Sequence, residues 1–169
     1  MPAPRLDARA GGWHFAAMNP DGSDFSHLDA SGAARMVDVG HKPEQRRVAK
    51  AEGVVRCQRS TIVALREQAL PKGDVLTVAK IAAIQAAKRT DELIPLCHSL
   101  PLNAVEVSFQ IEETAIQIFS EVTTTAKTGV EMEALVAVSI AALTIYDMCK
   151  AVDKQMAIGE IRVTEKRKE

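Results

Sequence analysis

Asp147 and Lys150 stand three residues apart at the end of a long apolar run. On a helix that spacing puts a carboxylate and an ammonium on one face. Most such pairs are solvated and contribute little. Here the preceding turns carry Ile140, Leu143, Ile145 and Met148, so the pair borders apolar surface and could line a pocket. An anion in the last turn opposes the helix dipole, which leaves Asp147 without an obvious structural reason. A Lys held against apolar surface can have a lowered pKa and act as acid or base.

Other residues offer chemistry with plainer alternatives beside them. Thr128-Gly129-Val130-Glu131 fits a capping box, which makes Glu131 either a cap or a ligand. Glu133, two positions on, points elsewhere, and both acids suit a helix N-terminus. Lys88 extends the Ile81/Ile84 stripe, either as a snorkelling side chain or as an anion ligand. Lys72-Gly73 is a turn or a phosphate contact, although the P-loop pattern is absent. Cys97-His98 shows no nucleophile–base partner and no zinc spacing, and His98 stands as a proton shuttle, a phosphate ligand or a structural residue.

The elements that must position these groups follow from periodicity. A strand is predicted from Ala49 to Cys57, then a short helix capped by Ser60 and running through Glu67. Asp74 caps a helix from about Val75 to Thr90, and Pro95 and Pro101 bracket a loop. Val105, Val107, Phe109 and Ile111 alternate, as do Ile116 and Ile118, with Glu112-Glu113-Thr114 as the turn of a hairpin. Thr128 opens a long helix through Ala151, made slim by Ala134, Ala137, Ala141 and Ala142. Ile158, Ile161 and Val163 give a last strand, and Met36–Val39 a short extended piece. The order β-α-α-β-β-α-β predicts an α+β, ferredoxin-like two-layer sandwich, an antiparallel sheet with helices on one face. Residues 1–24, rich in Pro, Gly, Asp and Ala, read as a flexible extension, and 25–169 as the single domain.

Composition narrows the function classes. A formal net charge of -1 argues against a general nucleic-acid binder, so any basic cluster serves a small anion. Cys57, Cys97 and Cys149 are odd in number and widely spaced, which fits a reducing, cytoplasmic compartment. Leu135–Ile145 is too short for a bilayer span of about 20 residues, and the N-terminus lacks a secretory pattern. No metal site held by the protein is expected.

Several stretches together resemble one family. They are Lys88-Arg89-Thr90 leading to Leu93-Ile94-Pro95-Leu96-Cys97-His98, Lys127 to Leu135, Leu143 to Val152, and the earlier His27-Leu28-Asp29 and Met36–Val39. The chain is similar over about residues 26–166 to molybdenum cofactor biosynthesis protein C, the cyclic pyranopterin monophosphate synthases. The resemblance implies a lyase that converts (8S)-3′,8-cyclo-7,8-dihydroguanosine 5′-triphosphate to cyclic pyranopterin monophosphate and diphosphate. It further implies a homohexamer, a trimer of dimers with active sites at dimer interfaces. On this resemblance Asp147 and Lys150 are the catalytic acid–base pair. Lys72, Lys88 and His98 line the triphosphate and sugar region, and Cys97 is a further substrate-binding residue. Glu131, Met132 and Glu133 hold the guanine-derived ring. Arg47, with Arg46 as the alternative, closes over the phosphates from the partner subunit. Any Mg²⁺ would arrive with the substrate phosphates. Ser99 stands where the family usually has Pro, and Gln45 where Thr is frequent. A non-catalytic nucleotide- or pterin-binding module would need the basic residues without the Asp147/Lys150 pair. A purely structural oligomer subunit would leave that pair unexplained.

Overall fold

A computed structural model of the chain describes residues 33–169, and Asp38–Glu169 form one compact unit. Its elements are β1 (Gln45–Arg56), α1 (Arg59–Arg66), α2 (Val75–Ala87), α3 (Thr90–Leu93), β2 (Leu102–Ile111), β3 (Ala115–Ala126), α4 (Glu131–Cys149) and β4 (Ala157–Lys168). The alternating runs become the β2–β3 hairpin, with Ile111 opposite Ile116 and the turn closed from Glu112 N–H to Ala115 C=O at 2.9 Å. The four strands pair antiparallel in the order β2-β3-β1-β4, a ferredoxin-like α+β arrangement.

Inward residues of one sheet face, among them Ala49, Ala51, Val107, Ile116, Ile118 and Val122, meet the helices in one core. The alanines of α4 do the packing: Ala134, Ala137, Ala141 and Ala142 are fully buried. Small side chains let the helix lie close to β1, and at Gly53 there is no room for a side chain. A Cβ at Gly53 would stand 2.7 Å from Val138 Cγ1 and 3.0 Å from Ile161 Cγ1. By length and composition α4 is apolar enough to cross a membrane, contrary to the shorter stretch read from sequence. Ten of its residues are buried, eight of them in this core, so its apolar character is accounted for by the sheet and α2.

Several boundaries differ from expectation for local reasons. The helix read to Thr90 stops at Ala87. There Arg89 N–H reaches Ala86 C=O at 3.0 Å and Thr90 Oγ1 donates to Ala87 C=O at 3.0 Å, which breaks the run before α3. The Thr128 capping box does not form. α4 opens at Glu131 behind Val130, and no side chain caps it. Ser60 likewise lies inside α1, whose cap residue is Gln58. The first strand begins at Gln45, and residues 36–39 form no strand. The extension 1–24 and the His27-Leu28-Asp29 stretch lie outside the described residues.

Candidate functional site

At the C-terminal end of α4, three charged groups converge. Asp147 Oδ1 lies 2.6 Å from Lys150 Nζ, and Asp147 Oδ2 lies 2.6 Å from Lys72 Nζ. Lys72 Nζ also donates to the Asp147 carbonyl at 3.1 Å. Lys72 is set by its own loop. Gly73 takes φ 82, a left-handed conformation that glycine adopts without strain. Asp74 then caps α2, accepting from Thr77 N–H at 3.1 Å and Thr77 Oγ1 at 2.6 Å. Two ammoniums on one carboxylate leave a net positive cluster with spare donors, suited to an anion.

The hydrogen bond from Lys150, then that from Lys72, hold the Asp147 carboxyl down at about 2. The same bond raises the pKa of Lys150. The lowered Lys pKa anticipated from the apolar turns is therefore corrected. Both side chains are exposed, and pairing rather than burial governs them.

A second group gathers at the other end of α4. Glu131 forms an ion pair with Lys166 of β4. Gly129 makes room for that carboxylate, since a Cβ there would fall 2.1 Å from Glu131 Oε2. Glu133 faces inward and is only 4% exposed. Burial pushes its carboxyl up to about 7, with the Glu131 and Asp91 charges adding to the effect. Cys97, in the loop after α3, is half-buried. Its thiol is raised by burial first, then by the charges of Glu133 and Asp91. His98 follows it, half-buried, and Met132 is exposed on the first turn of α4. Arg47 on β1 donates from Nη2 to Gln45 Oε1 at 3.2 Å and to Lys127 C=O at 3.4 Å, just ahead of α4. Its buried Nε has no hydrogen-bond partner among the described residues. Lys72, ahead of α2, meets the end of α4, so α2 and α4 pack antiparallel. Lys88, the exposed cap at the end of α2, therefore lies toward the start of α4.

Helical rise separates the two groups. Glu131 and Asp147 sit 16 positions apart on one unbroken helix, about 24 Å along its axis. One chain brings Lys72, Asp147 and Lys150 together. It places Glu131, Glu133 and Cys97 near one another at the opposite end, with Arg47 and Lys88 on that side. It does not bring the two sets together. Lys166 and Asp91 were not singled out by sequence reasoning. Neither lies in a helical pattern with the acids it faces, and only the strand pairing and the α3 turn deliver them. No group of three or more His, Cys, Asp or Glu among the described residues is placed to hold a metal ion.

The comparisons with known proteins match this chain closely. The family model described as the MoaC family matches residues 36–169. A cyclic pyranopterin monophosphate synthase of Heliobacterium modesticaldum is 55% identical over 144 residues, covering 84% of this chain and 91% of that protein. One from Novosphingobium aromaticivorans is 54% identical over 145 residues, covering 86% and 92%. One from Roseiflexus is 56% identical over 146 residues, covering 85% and 92%. Matched by that family over residues 36–169 and more than half identical to these relatives over most of their length, the chain belongs to the MoaC family.

Proposed function

We propose that this chain is a cytoplasmic cyclic pyranopterin monophosphate synthase of molybdenum cofactor biosynthesis. It converts (8S)-3′,8-cyclo-7,8-dihydroguanosine 5′-triphosphate to cyclic pyranopterin monophosphate and diphosphate. The observation that carries this reading is the Lys72–Asp147–Lys150 cluster, a carboxylate flanked by two ammoniums at 2.6 Å. A triphosphate brings about four negative charges, which Lys72, Lys88, Arg47 and His98 are chemically suited to offset. Lys150, kept protonated by Asp147, supplies a proton as the purine's five-membered ring opens. Asp147, ionised at neutral pH, fixes the direction of that ammonium rather than taking the first proton. Glu131 accepts hydrogen bonds from guanine-type N–H edges. Glu133, whose carboxyl titrates at about 7, can give or take a proton at working pH. Any Mg²⁺ is carried in on the substrate phosphates as part of the substrate.

The about 24 Å between the two groups favours a site completed by a second chain. Related by a two-fold axis, the C-terminal end of one α4 meets the N-terminal end of its partner's, and each dimer holds two sites. A trimer of such dimers would cover the exposed Ile81 and Leu143 on the helix layer. The reading is tested by giving purified protein the cyclised GTP derivative and measuring diphosphate. Stoichiometric release with formation of the pterin is expected. A folded protein that binds this compound and releases nothing would overturn the proposal.

A further inference from the structure

Asp153 is charged, 1% exposed, and lies outside both groups described above. It follows α4 in the turn that begins at Lys150. Val152 N–H and Asp153 N–H both return to Cys149 C=O, at 2.9 and 3.1 Å, and close that turn. The Asp153 carboxylate then makes three hydrogen bonds. Oδ1 accepts from Gln155 N–H at 2.9 Å. Oδ2 accepts from Gln58 N–H at 2.7 Å and from Thr61 Oγ1 at 3.1 Å. Gln58 and Thr61 belong to the start of α1, a helix with no capping side chain of its own. Asp153 thus accepts from the N–H of the cap residue Gln58, the role that a Glu or Gln three residues into the helix plays in a capping box, but does so from a distant turn.

The consequence concerns the charged cluster. α1 leads through buried Leu70 to the Lys72 loop. One carboxylate thereby ties the turn that carries Lys150 to the segment that carries Lys72. We infer that Asp153 is a positioning residue for the synthase reaction: it locks the α4 turn to α1 and so holds both ammoniums on Asp147. It touches no substrate. The ammonium side chains are long and exposed, and their geometry depends on where their backbones are pinned. The hydrogen bonds hold the Asp153 carboxyl below its ordinary range despite the burial that opposes ionisation, so the clamp stays charged at neutral pH.

The inference rests on the proposed reaction, and two readouts separate the two ideas. Diphosphate release is measured for the full chain and for Asp153→Ala and Asp153→Asn. In D153A, kcat is expected to fall about 10- to 100-fold while KM moves less than about threefold, as for the loss of a group that orients catalytic residues. D153N keeps one acceptor and is expected to recover part of that loss. In parallel, limiting acetylation read by mass spectrometry reports how well Lys72 and Lys150 are held. Both amines are expected to label faster in D153A than in the parent, with D153N between. If D153A does not fold, D153N decides alone, with lowered kcat at unchanged KM and faster labelling expected. Unchanged kcat and unchanged labelling in a folded variant would overturn the clamp, as would a KM rise that accounts for the whole loss. A parent protein that releases no diphosphate would sink the synthase reading, and the labelling would still decide the clamp.

Discussion

Replacing Glu133 by Gln is expected to make stability less sensitive to pH, by an amount that follows from burial. The Glu133 carboxyl has an ordinary value of 4.5 and titrates at about 7 in the fold. Burial disfavours its charged form, and Glu131 and Asp91 add to that. The native state therefore keeps a proton that the unfolded chain gives up at lower pH. Between 4.5 and about 7 the native state binds more protons, so stability falls as pH rises through this window and levels off above it. A gap of about two and a half pH units corresponds to roughly 3 kcal/mol in total, of which about 2.5 kcal/mol accrues between pH 5 and pH 8. Gln cannot ionise, so E133Q escapes this loss. Urea titrations followed by far-ultraviolet circular dichroism, at pH 5 and pH 8 and one fixed protein concentration, measure the difference. The stability of E133Q relative to the parent is expected to increase by about 2 to 3 kcal/mol between the two values. A difference that does not change with pH would refute the reasoning, because it would mean the buried carboxyl is not the group that titrates.

Other outcomes follow from the same geometry. Lys150→Ala is expected to abolish diphosphate release while shifting the melting temperature by only a few degrees, because Lys150 is exposed and its ion pair is solvated. Full activity, or a collapse of the fold, would contradict its assignment. Gly53→Ala is expected to cost about 1–3 kcal/mol in a denaturant titration, since the added Cβ meets Val138 at 2.7 Å. An unchanged midpoint would show that α4 can move away from β1 freely.

The parts of the fold that sequence made legible are those set by local chemistry. Alternation at Val105–Ile111 and Ile116–Ile118 marks the hairpin, and Asp74 caps α2 as its position suggests. The i,i+3 spacing of Asp147 and Lys150 was enough to pair them. What stayed hidden depends on tertiary contacts. Thr128 has the pattern of a cap, yet the backbone turns into helix three residues later at Glu131. Glu133 looks like an ordinary first-turn acid. The signal for its burial was its position four before Ala137 and eight before Ala141, on the small-residue face that packs inward. Asp153 carried no pattern of its own, because its partners Gln58 and Thr61 are more than ninety residues away. That the two charged groups sit at opposite ends of one helix follows from helical rise alone, once their residues are placed on the same helix.

The shared site is most directly tested by mixing two variants that each lack a different half. Lys150→Ala removes the group at the end of α4, and Glu131→Ala removes one at its start. Each alone is expected to release almost no diphosphate. Co-expressed in equal amounts and allowed to assemble at random, half of the dimers are mixed, and each mixed dimer regains one intact site of its two. The preparation is therefore expected to recover about a quarter of the parent activity. Activity no higher than that of either variant alone, in a preparation shown to contain mixed dimers, would contradict a site built from opposite ends of two helices.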